Sequence, residues 1–80
     1  MTPHRPAWDD IPRGTYVMLR PDVPVPVVLF NAERYQIAEG DLILTSEVGN
    51  VIQFDAGHWG AIGTVEHMDG ETWIAFEAYA

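Results

Sequence analysis

The sequence predicts a mainly β protein: a small antiparallel sheet of five to six strands, either curled or closed as an SH3-like barrel. Two observations predict this class. Short segments rich in β-branched and aromatic residues recur roughly every ten residues along the chain. Turn signals containing Gly, Asp or Asn separate them. Cysteine is absent, so packing and sheet hydrogen bonds must supply the stability of this 80-residue chain.

The chain is expected to form one domain preceded by an arm. Residues 1–13 contain Pro3, Pro6 and Pro12. Proline fixes φ and has no amide hydrogen to donate, so this segment is predicted to be an extended N-terminal arm. Residues 14–80 are predicted to form a single small β-domain.

The first two strands are predicted before residue 31. The segment 14–21 is rich in β-forming residues and ends at a proline. Pro24 and Pro26 follow, and a proline cannot donate to a neighbouring strand. The second strand, whose regular pairing is expected at 27–30, should therefore begin at the edge of a sheet.

Residues 32–39 are compatible with two structures. Asn31 is suited to cap a short helix that ends at Gly40. The alternation of Tyr35 and Ile37 is instead typical of a strand. We favour one or two helical turns here and keep the strand as the alternative.

A hairpin is predicted from the strands 41–48 and 51–56. A two-residue turn would mix the two sides of the sheet, because each one-residue shift in pairing reverses the facing of a strand. A three-residue loop at 48–50 avoids this and places Leu44 opposite Phe54. Leu42 and Ser46 then face inward, and the outward positions are Ile43, Thr45, Glu47, Val51, Gln53 and Asp55.

The strands 61–68 and 71–79 are predicted to form the last hairpin. Asp69 and Gly70 are typical of a type I′ turn, which places Met68 opposite Glu71. The core face should then carry Val65, Ile74, Phe76 and Ala78, while the outward face carries Ile62, Thr64, Glu66, Trp73, Ala75, Glu77 and Tyr79.

No motif in the sequence indicates catalysis. The single serine, Ser46, has no histidine predicted near it, so we expect neither an enzyme nor a cofactor. Asp55, His58 and His67 are suitable ligand types, but their spacing matches no standard metal site, and none is expected. The segment AGHWG favours a bend in which Trp59 caps the barrel, and the alternative is an exposed aromatic contact.

Charge is the most informative property of the chain. Twelve Asp and Glu residues stand against four Arg and no Lys, which gives a net charge of −8. Phosphate binding requires clustered cations, so a direct interaction with nucleic acid is not expected. No apolar run approaches the roughly 20 residues of a membrane-spanning helix, so we expect a cytoplasmic protein without a membrane partner.

The last hairpin is the predicted partner-binding surface. Its carboxylates alternate with aromatic residues, a combination suited to a cationic protein partner. An alternative is that Trp73 and Tyr79 belong to a second minor core together with Trp8. The candidate partner-binding residues are Glu66, Asp69, Glu71, Trp73, Glu77 and Tyr79, with Asp55 and Glu47 from the preceding hairpin.

The chain as a whole resembles the small acidic anti-CRISPR proteins of phages and other mobile elements. The resemblance rests on its length, the absence of Cys and Lys, the dispersed carboxylates and the Glu-Trp-Glu-Tyr strand at 71–79. The likeness is greatest to DNA-mimic inhibitors of type I Cascade complexes, with subtype I-C favoured. The resemblance implies a monomer or dimer that acts in the host bacterial cytoplasm. Its implied partner is the basic DNA-binding surface of a Cas protein complex, where it blocks target DNA.

Two alternatives come from other functional classes. One is a small phage virion or assembly subunit with the same β-fold. The other is an SH3-like module for a basic protein partner, because YQIAEGDLIL at 35–44 resembles the entry to a strand in SH3-like barrels.

Overall fold

The computed structural model describes residues 8–80, so the part of the predicted arm at 1–7 lies outside the described residues. A short 3₁₀ helix, Trp8–Asp10, is followed by seven strands. The strands are β1 (Tyr16–Leu19), β2 (Pro26–Leu29), β3 (Ala32–Ala38), β4 (Asp41–Ser46), β5 (Val51–Phe54), β6 (Ala61–Met68) and β7 (Glu71–Tyr79). The prediction of a mainly β protein is confirmed.

The strands form two antiparallel sheets. One has the order β2-β1-β6-β7, and the other has the order β3-β4-β5. The sheets do not close into a barrel, so the open, curled architecture is found and the SH3-like barrel is not. β2 lies at an edge of the larger sheet, as its proline content predicts.

The favoured helix at 32–39 is wrong, because β3 occupies this segment and pairs with β4. The ring of Tyr35 packs edge-on against that of Tyr16, with 5.6 Å between the centroids. Glu39 and Gly40 have left-handed φ values of 54° and 84°, which close a tight hairpin instead of ending a helix. Pairing with β4 and packing of the Tyr35 ring therefore outweigh the local capping signal, and β3 becomes the seventh strand.

The larger core lies between the two sheets. It consists of Met18, Leu42, Leu44, Trp59 and Ile62, all of them 0–1% exposed. Trp59 also donates a hydrogen bond of 2.8 Å from its indole nitrogen to the carbonyl of Gly40. The alternative in which AGHWG presents an exposed aromatic contact is therefore wrong, since the indole is buried with its N–H satisfied.

A smaller core covers the opposite face of the larger sheet. Ile11, Val17 and Val65 are buried there, with Val28 and Ile74 packed against them. Ile11 belongs to the segment predicted as an arm, and here it packs onto the sheet. The larger sheet is consequently covered on both faces.

The β4–β5 pairing differs from the predicted register by two residues. Phe54 lies opposite Leu42, whereas the expected partner was Leu44. The loop still has three residues but lies one position earlier, at 47–49, because the Ser46 amide donates to the Asn50 carbonyl at 2.8 Å. A shift of two residues keeps the facing of every side chain, so the predicted inner side of this hairpin is retained.

The β6–β7 hairpin has the predicted bounds and turn. Met68 lies opposite Glu71, and Asp69 and Gly70 have φ values of 54° and 78°. Trp73 lies opposite Glu66, also as predicted. The register is therefore confirmed over the half of the hairpin nearest the turn.

A β-bulge changes the other half of this hairpin. Gly63 lies opposite Phe76 and Ile62 opposite Ala78, so Glu77 is an extra residue in β7. The prediction that Ile62 faces outward is wrong, since it is fully buried between the sheets. Ala78 joins this same core. The sequence predicted Ala78 on the face that carries Val65, which is the opposite face of the sheet.

Candidate protein-binding surface

All twelve side-chain carboxylates of the chain lie within residues 8–80, and none is buried. Asp41 and Glu66 are half-buried. The other ten are exposed: Asp9, Asp10, Asp22, Glu33, Glu39, Glu47, Asp55, Asp69, Glu71 and Glu77. They occupy turns, strand ends, the 3₁₀ helix and β-bulges, so the sheet scaffold presents almost all of the acidic charge to solvent.

Arginines neutralise little of this charge in the part of the chain that the structure describes. Arg13 contacts Glu66 at 3.0 Å, and Arg20 contacts Asp22 at 3.6 Å. Twelve carboxylates minus these two leaves ten without an ion pair among residues 8–80. Solvent-exposed ion pairs contribute little, so the surface is dominated by unpaired negative charge.

The carboxylates include two groups held close together. One is at the β6–β7 turn, where Asp9 and Glu71 line the same recess. The other lies at the end of β5, where the Gln53 amide donates to Asp41 at 3.2 Å and to Asp55 at 3.4 Å. Negative charge is thus concentrated on both sheets.

The eight predicted partner-binding residues do not share one face. Glu66 and Trp73 lie side by side, but the bulge pairs Tyr79 with Ala61 and leaves its ring 6.0 Å from that of Phe76. Tyr79 is therefore displaced from the predicted row. Glu47 and Asp55 belong to the other sheet, before and after β5, while Asp69 and Glu71 lie at the β6–β7 turn.

Glu66 is the least available of the predicted acidic residues. Its carboxylate accepts hydrogen bonds from Arg13 at 3.0 Å and from the Thr64 hydroxyl at 3.3 Å. Among the glutamates of this hairpin, Glu71 and Glu77 are exposed and have no such partner within residues 8–80. They are the glutamates of β7 most able to meet an external cation.

Both aromatic residues predicted for the surface are exposed. Trp73 is 41% exposed and Tyr79 is 70% exposed. The alternative that buries them in a second minor core is wrong, because the smaller core is built from aliphatic side chains. Trp8, the partner suggested for that core, is itself 38% exposed.

Trp8 and Trp73 line a common cleft. Its volume is about 430 Å³, and its lining consists of Trp8, Pro26, Thr72, Trp73, Ile74 and Phe76. We name it the Trp8–Trp73 cleft. The sequence did not indicate it, because Trp8 comes from the N-terminal segment and Trp73 from the last strand.

A hydrogen-bonded chain fixes the 3₁₀ helix to the last hairpin. His67 Nε2 donates to the Ile11 carbonyl at 2.7 Å, and Nδ1 lies 2.9 Å from the Thr72 hydroxyl. That hydroxyl donates to Asp9 at 2.7 Å. Thr72 and Asp9 are 63 residues apart, and no local pattern signals their contact.

Tyr16 is the residue whose ionisation responds most clearly to the fold. Burial raises the pKa of the Tyr16 hydroxyl above 10.0, and the nearby Glu77 and Tyr35 raise this pKa further. The cause is that a phenolate is poorly solvated there and meets the negative charge of Glu77. Glu77 therefore lies beside the open margin of the inter-sheet core.

We expect the free energy of unfolding to fall as pH rises above about 10, the pKa of an exposed tyrosine. The folded state holds the Tyr16 proton more tightly than the unfolded state, so stability is complete below that pH and is lost as the folded hydroxyl ionises. Urea unfolding between pH 8 and pH 11 measures this. Tyr16→Phe should flatten the alkaline decline, and an unchanged decline in that variant would contradict the assignment.

Three further observations concern metal, catalytic and membrane features within the described residues. Among residues 8–80, no group of three or more His, Asp or Glu side chains is arranged to hold a metal ion. Ser46 accepts a hydrogen bond from the Asn50 amide at 3.0 Å, which is a structural contact in the β4–β5 turn. In the same part of the chain, no helix has the length and apolar character needed to cross a membrane.

Comparison with known proteins identifies no relative. No family model matches the sequence, no curated protein is significantly similar to it, and no solved structure has a significantly similar fold. The class defined by fold and surface is thus a small two-sheet β protein with an acidic, partly aromatic exterior.

Proposed function

We propose that this protein is an acidic inhibitor that occupies the basic nucleic-acid-binding surface of a protein partner and blocks the nucleic acid. It acts by occupancy, without chemistry or a cofactor. The partner that best suits this proposal is the target-DNA path of a type I Cas surveillance complex in the cytoplasm of the host bacterium. The resemblance to acidic anti-CRISPR proteins supplies that partner.

The observation that carries the proposal is the set of ten exposed or half-buried carboxylates without an ion pair on residues 8–80. Solubility alone does not require a domain to lack lysine altogether. Unpaired like charges also destabilise the compact state. A strongly anionic exterior is useful where a partner presents concentrated positive charge.

The dimensions support occupancy of a DNA path. The longest axis of the molecule is 43 Å. At 3.4 Å per step this is the length of roughly 13 base pairs, which carry roughly 25 phosphate charges. The net charge of −8 is about a third of that number. The protein would therefore compete through the placement of its carboxylates and through aromatic contacts, since its charge density alone is lower than that of DNA.

The two kinds of residue have separate roles in this proposal. The carboxylates raise the association rate by steering the protein towards the cationic surface. Trp73 and Tyr79 bury aromatic area at the interface and slow dissociation. Trp59 makes no such contact, because it is buried between the sheets.

A competition assay tests the proposal. The purified protein is added to a type I Cascade complex with labelled target DNA, and wild-type protein should release the DNA. The double variant Glu71→Lys/Glu77→Lys should lose competition at least tenfold. Circular dichroism should show an intact fold, because both side chains are exposed.

A matched variant tests whether the position of the changed charges matters, apart from the change in net charge. Glu33→Lys/Glu39→Lys changes the net charge by the same +4 but alters the smaller sheet, where both residues are exposed. We expect it to slow association and to retain competition. Equal competition by the wild type and the Glu71/Glu77 variant would contradict the proposed face.

Salt provides a second test of the same assay. The Debye length falls from roughly 10 Å at 0.1 M to roughly 3 Å at 1 M ionic strength, so steering should weaken steeply over this range. The association rate with the complex, measured by stopped-flow mixing, should fall at high salt. A rate insensitive to salt would contradict steering by the carboxylates.

The Trp8–Trp73 cleft favours a second candidate function, a module that binds basic segments of a protein unrelated to nucleic acid. Such a module would bind short cationic peptides and leave Cascade and its DNA unaffected. The competition assay distinguishes the two functions directly.

A further inference from the structure

We propose that the free edge of β5 is a docking site for an extended cationic segment of the protein partner, which adds to the smaller sheet as a further strand. This proposal rests on the proposed function, because it names the part of a cationic partner that the protein holds. It adds a contact on the smaller sheet to the contact proposed above for β7.

β5 is the unprotected edge among the four edge strands of residues 8–80. The two open sheets leave β2, β7, β3 and β5 with one free side each. β2 begins with Pro26, and β3 and β7 each contain charged residues and a bulge. Prolines, charges and bulges are the means by which proteins prevent pairing at a sheet edge. β5 has the sequence VIQF and pairs with β4 without a shift, so it contains none of these three features.

The backbone of β5 has hydrogen-bonding groups that point away from the sheet. The Ser46 amide donates to the Asn50 carbonyl at 2.8 Å, and the register continues unshifted along β5. Hydrogen-bonded and non-hydrogen-bonded pairs alternate along an antiparallel ladder. The amide and carbonyl of Ile52 therefore pair with β4, and those of Val51 and Gln53 point outward. Among residues 8–80, no backbone bond outside the β4–β5 ladder involves Val51 or Gln53.

Apolar side chains of β5 are exposed on both faces of the smaller sheet. Val51 is 61% exposed and Ile52 is 50% exposed. Ile52 lies opposite Leu44, on the face that forms the core between the sheets, yet half of its surface is left uncovered. A hollow of about 130 Å³ beside Ile52 is also lined by Leu44 and Ala32. An apolar side chain of an added strand would enter this hollow and remove the exposed part of Ile52 from water.

Carboxylates flank the free edge at both ends. Glu47 precedes β5, and Asp55 follows it. Asp41 lies near Asp55, because the Gln53 amide donates to both carboxylates, at 3.2 and 3.4 Å. Neither ion pair among residues 8–80 involves these three carboxylates. A segment that adds to β5 therefore passes between negative charges, which favour lysine or arginine residues in it.

This charge selects a partner protein over other occupants of the edge. A second copy of the chain would bring the same carboxylates and a net charge of −8 to the contact, so like charges would meet. A nucleic acid would be repelled for the same reason. An extended cationic segment suits the outward backbone groups, the apolar side chains and the carboxylates together. In strand addition the backbone hydrogen bonds supply affinity and alternate side chains supply specificity.

The test is a titration of the full chain with the capped heptapeptide Arg-Val-Arg-Ile-Thr-Val-Arg, followed in amide NMR spectra. On binding, the amides of Val51 and Gln53 should become protected from hydrogen exchange. The amide of Ile52, which already pairs with β4, should change little. The counterpart with glutamate in place of each arginine should not bind measurably. Equal binding of that counterpart would overturn the proposal, since it would show that charge does not select the occupant.

Methylated peptides test for a hydrogen-bonded ladder. One peptide carries a single N-methyl group on its isoleucine, and the other carries it on the adjacent threonine. Successive residues of a strand direct their amides to opposite edges. One of the two peptides should therefore lose binding, and the other should retain it. Equal affinities of the two would overturn strand addition, because a contact made by side chains alone does not distinguish the edges of the peptide.

Variants of the protein locate the site. Val51→Pro should weaken peptide binding about tenfold while the β4–β5 ladder is retained, because it removes an outward amide only. Val51→Thr keeps this amide and should retain binding. Ile52→Lys places a cation at the edge and should also weaken binding about tenfold. Val25→Lys is its matched control, since Val25 is 60% exposed, lies before β2 and receives the same charge. This control should leave the affinity nearly unchanged.

Two further outcomes overturn the assignment. The first is unchanged peptide affinity in both Val51→Pro and Ile52→Lys. The second is a dimer in sedimentation experiments that Ile52→Lys converts to monomer. That result would show that the edge of β5 is occupied by a second copy of the chain.

Failure of this proposal is distinguishable from failure of the proposed function. If the wild type binds the arginine peptide but does not release DNA from Cascade, the inhibitor function fails and the strand-addition site holds. If the wild type releases DNA and binds no peptide, while Ile52→Lys releases DNA equally well, the strand-addition site fails and the inhibitor function holds.

Discussion

Replacement of Gly63 by alanine should destabilise the protein by about 3 kcal/mol. A methyl group at this position would lie 2.5 Å from the Ala75 carbonyl oxygen and 2.8 Å from the Phe76 Cα. Both atoms belong to the backbone of β7, so no change of rotamer relieves the clash. The register counted from the turn places Gly63 correctly opposite Phe76, and the structure shows that the constraint comes from the β7 backbone at the bulge.

Urea unfolding followed by circular dichroism measures the effect. Gly49→Ala is the matched control, because its added methyl group meets no atom within 4 Å. Its φ of +90° makes the substitution unfavourable by about 1 kcal/mol through backbone conformation alone. If Gly63→Ala and Gly49→Ala lost similar amounts of stability, the bulge would have relaxed around the methyl group added at Gly63. That result would contradict the close approach of the β7 backbone to Gly63.

Replacement of Trp59 by alanine should cost about 4 kcal/mol. The indole is 1% exposed and is the largest side chain of the core between the sheets. Its removal leaves a cavity and takes away the hydrogen bond to the Gly40 carbonyl. For a chain of this size the total stability is roughly 4–12 kcal/mol, so the substitution should remove about a third or more of it and lower the unfolding temperature by roughly 15–30 °C.

Trp73→Ala is the control for this prediction. Trp73 is 41% exposed, so its loss should cost about 1 kcal/mol. Thermal unfolding of both variants, with Trp59→Phe as an intermediate that retains an aromatic ring, gives the order of stability. A Trp59→Ala variant as stable as Trp73→Ala would contradict the position of Trp59 in the core. The contrast also separates the two roles of tryptophan in this protein, since the residue needed for folding is not the residue proposed for binding.

The acidic exterior and the small core have opposite effects on stability. The core residues stabilise the fold, and the unpaired carboxylates repel one another. Charge-reversal variants on the smaller sheet therefore should not unfold the protein. We expect these variants mainly to lower the rate of association with the partner, because the acidic exterior is proposed to speed that association.

The last hairpin was determined mainly by its local sequence. Asp69 and Gly70 specify a tight turn, and the bounds and the pairing of Met68 with Glu71 follow from it. The bulge that places Glu77 as an extra residue does not follow from the turn. It arises where Ile62 and Ala78 both enter the core between the sheets, which is a requirement of the second sheet.

The β3 segment and the β4–β5 loop show where local signals are insufficient. Asn31 and Gly40 are consistent with a capped helix as well as with a strand, and pairing with β4 together with the packing of Tyr35 on Tyr16 selects the strand. The pairing of Phe54 with Leu42 rather than Leu44 preserves the same inner face. Alternation of side chains therefore cannot distinguish the two registers.

The sequence by itself determined the mainly β class, the turn and bounds of the last hairpin, and an exterior rich in carboxylates, because composition, alternation and turn residues act locally. Only the tertiary structure decided that Trp59 is buried and that Trp8 lines a cleft. It also decided that Tyr79 is displaced from the predicted outward row of β7 that includes Trp73. These outcomes depend on contacts between distant segments. The bond from Thr72 to Asp9 spans 63 residues, and such a contact forms only when the N-terminal segment has packed onto the last hairpin.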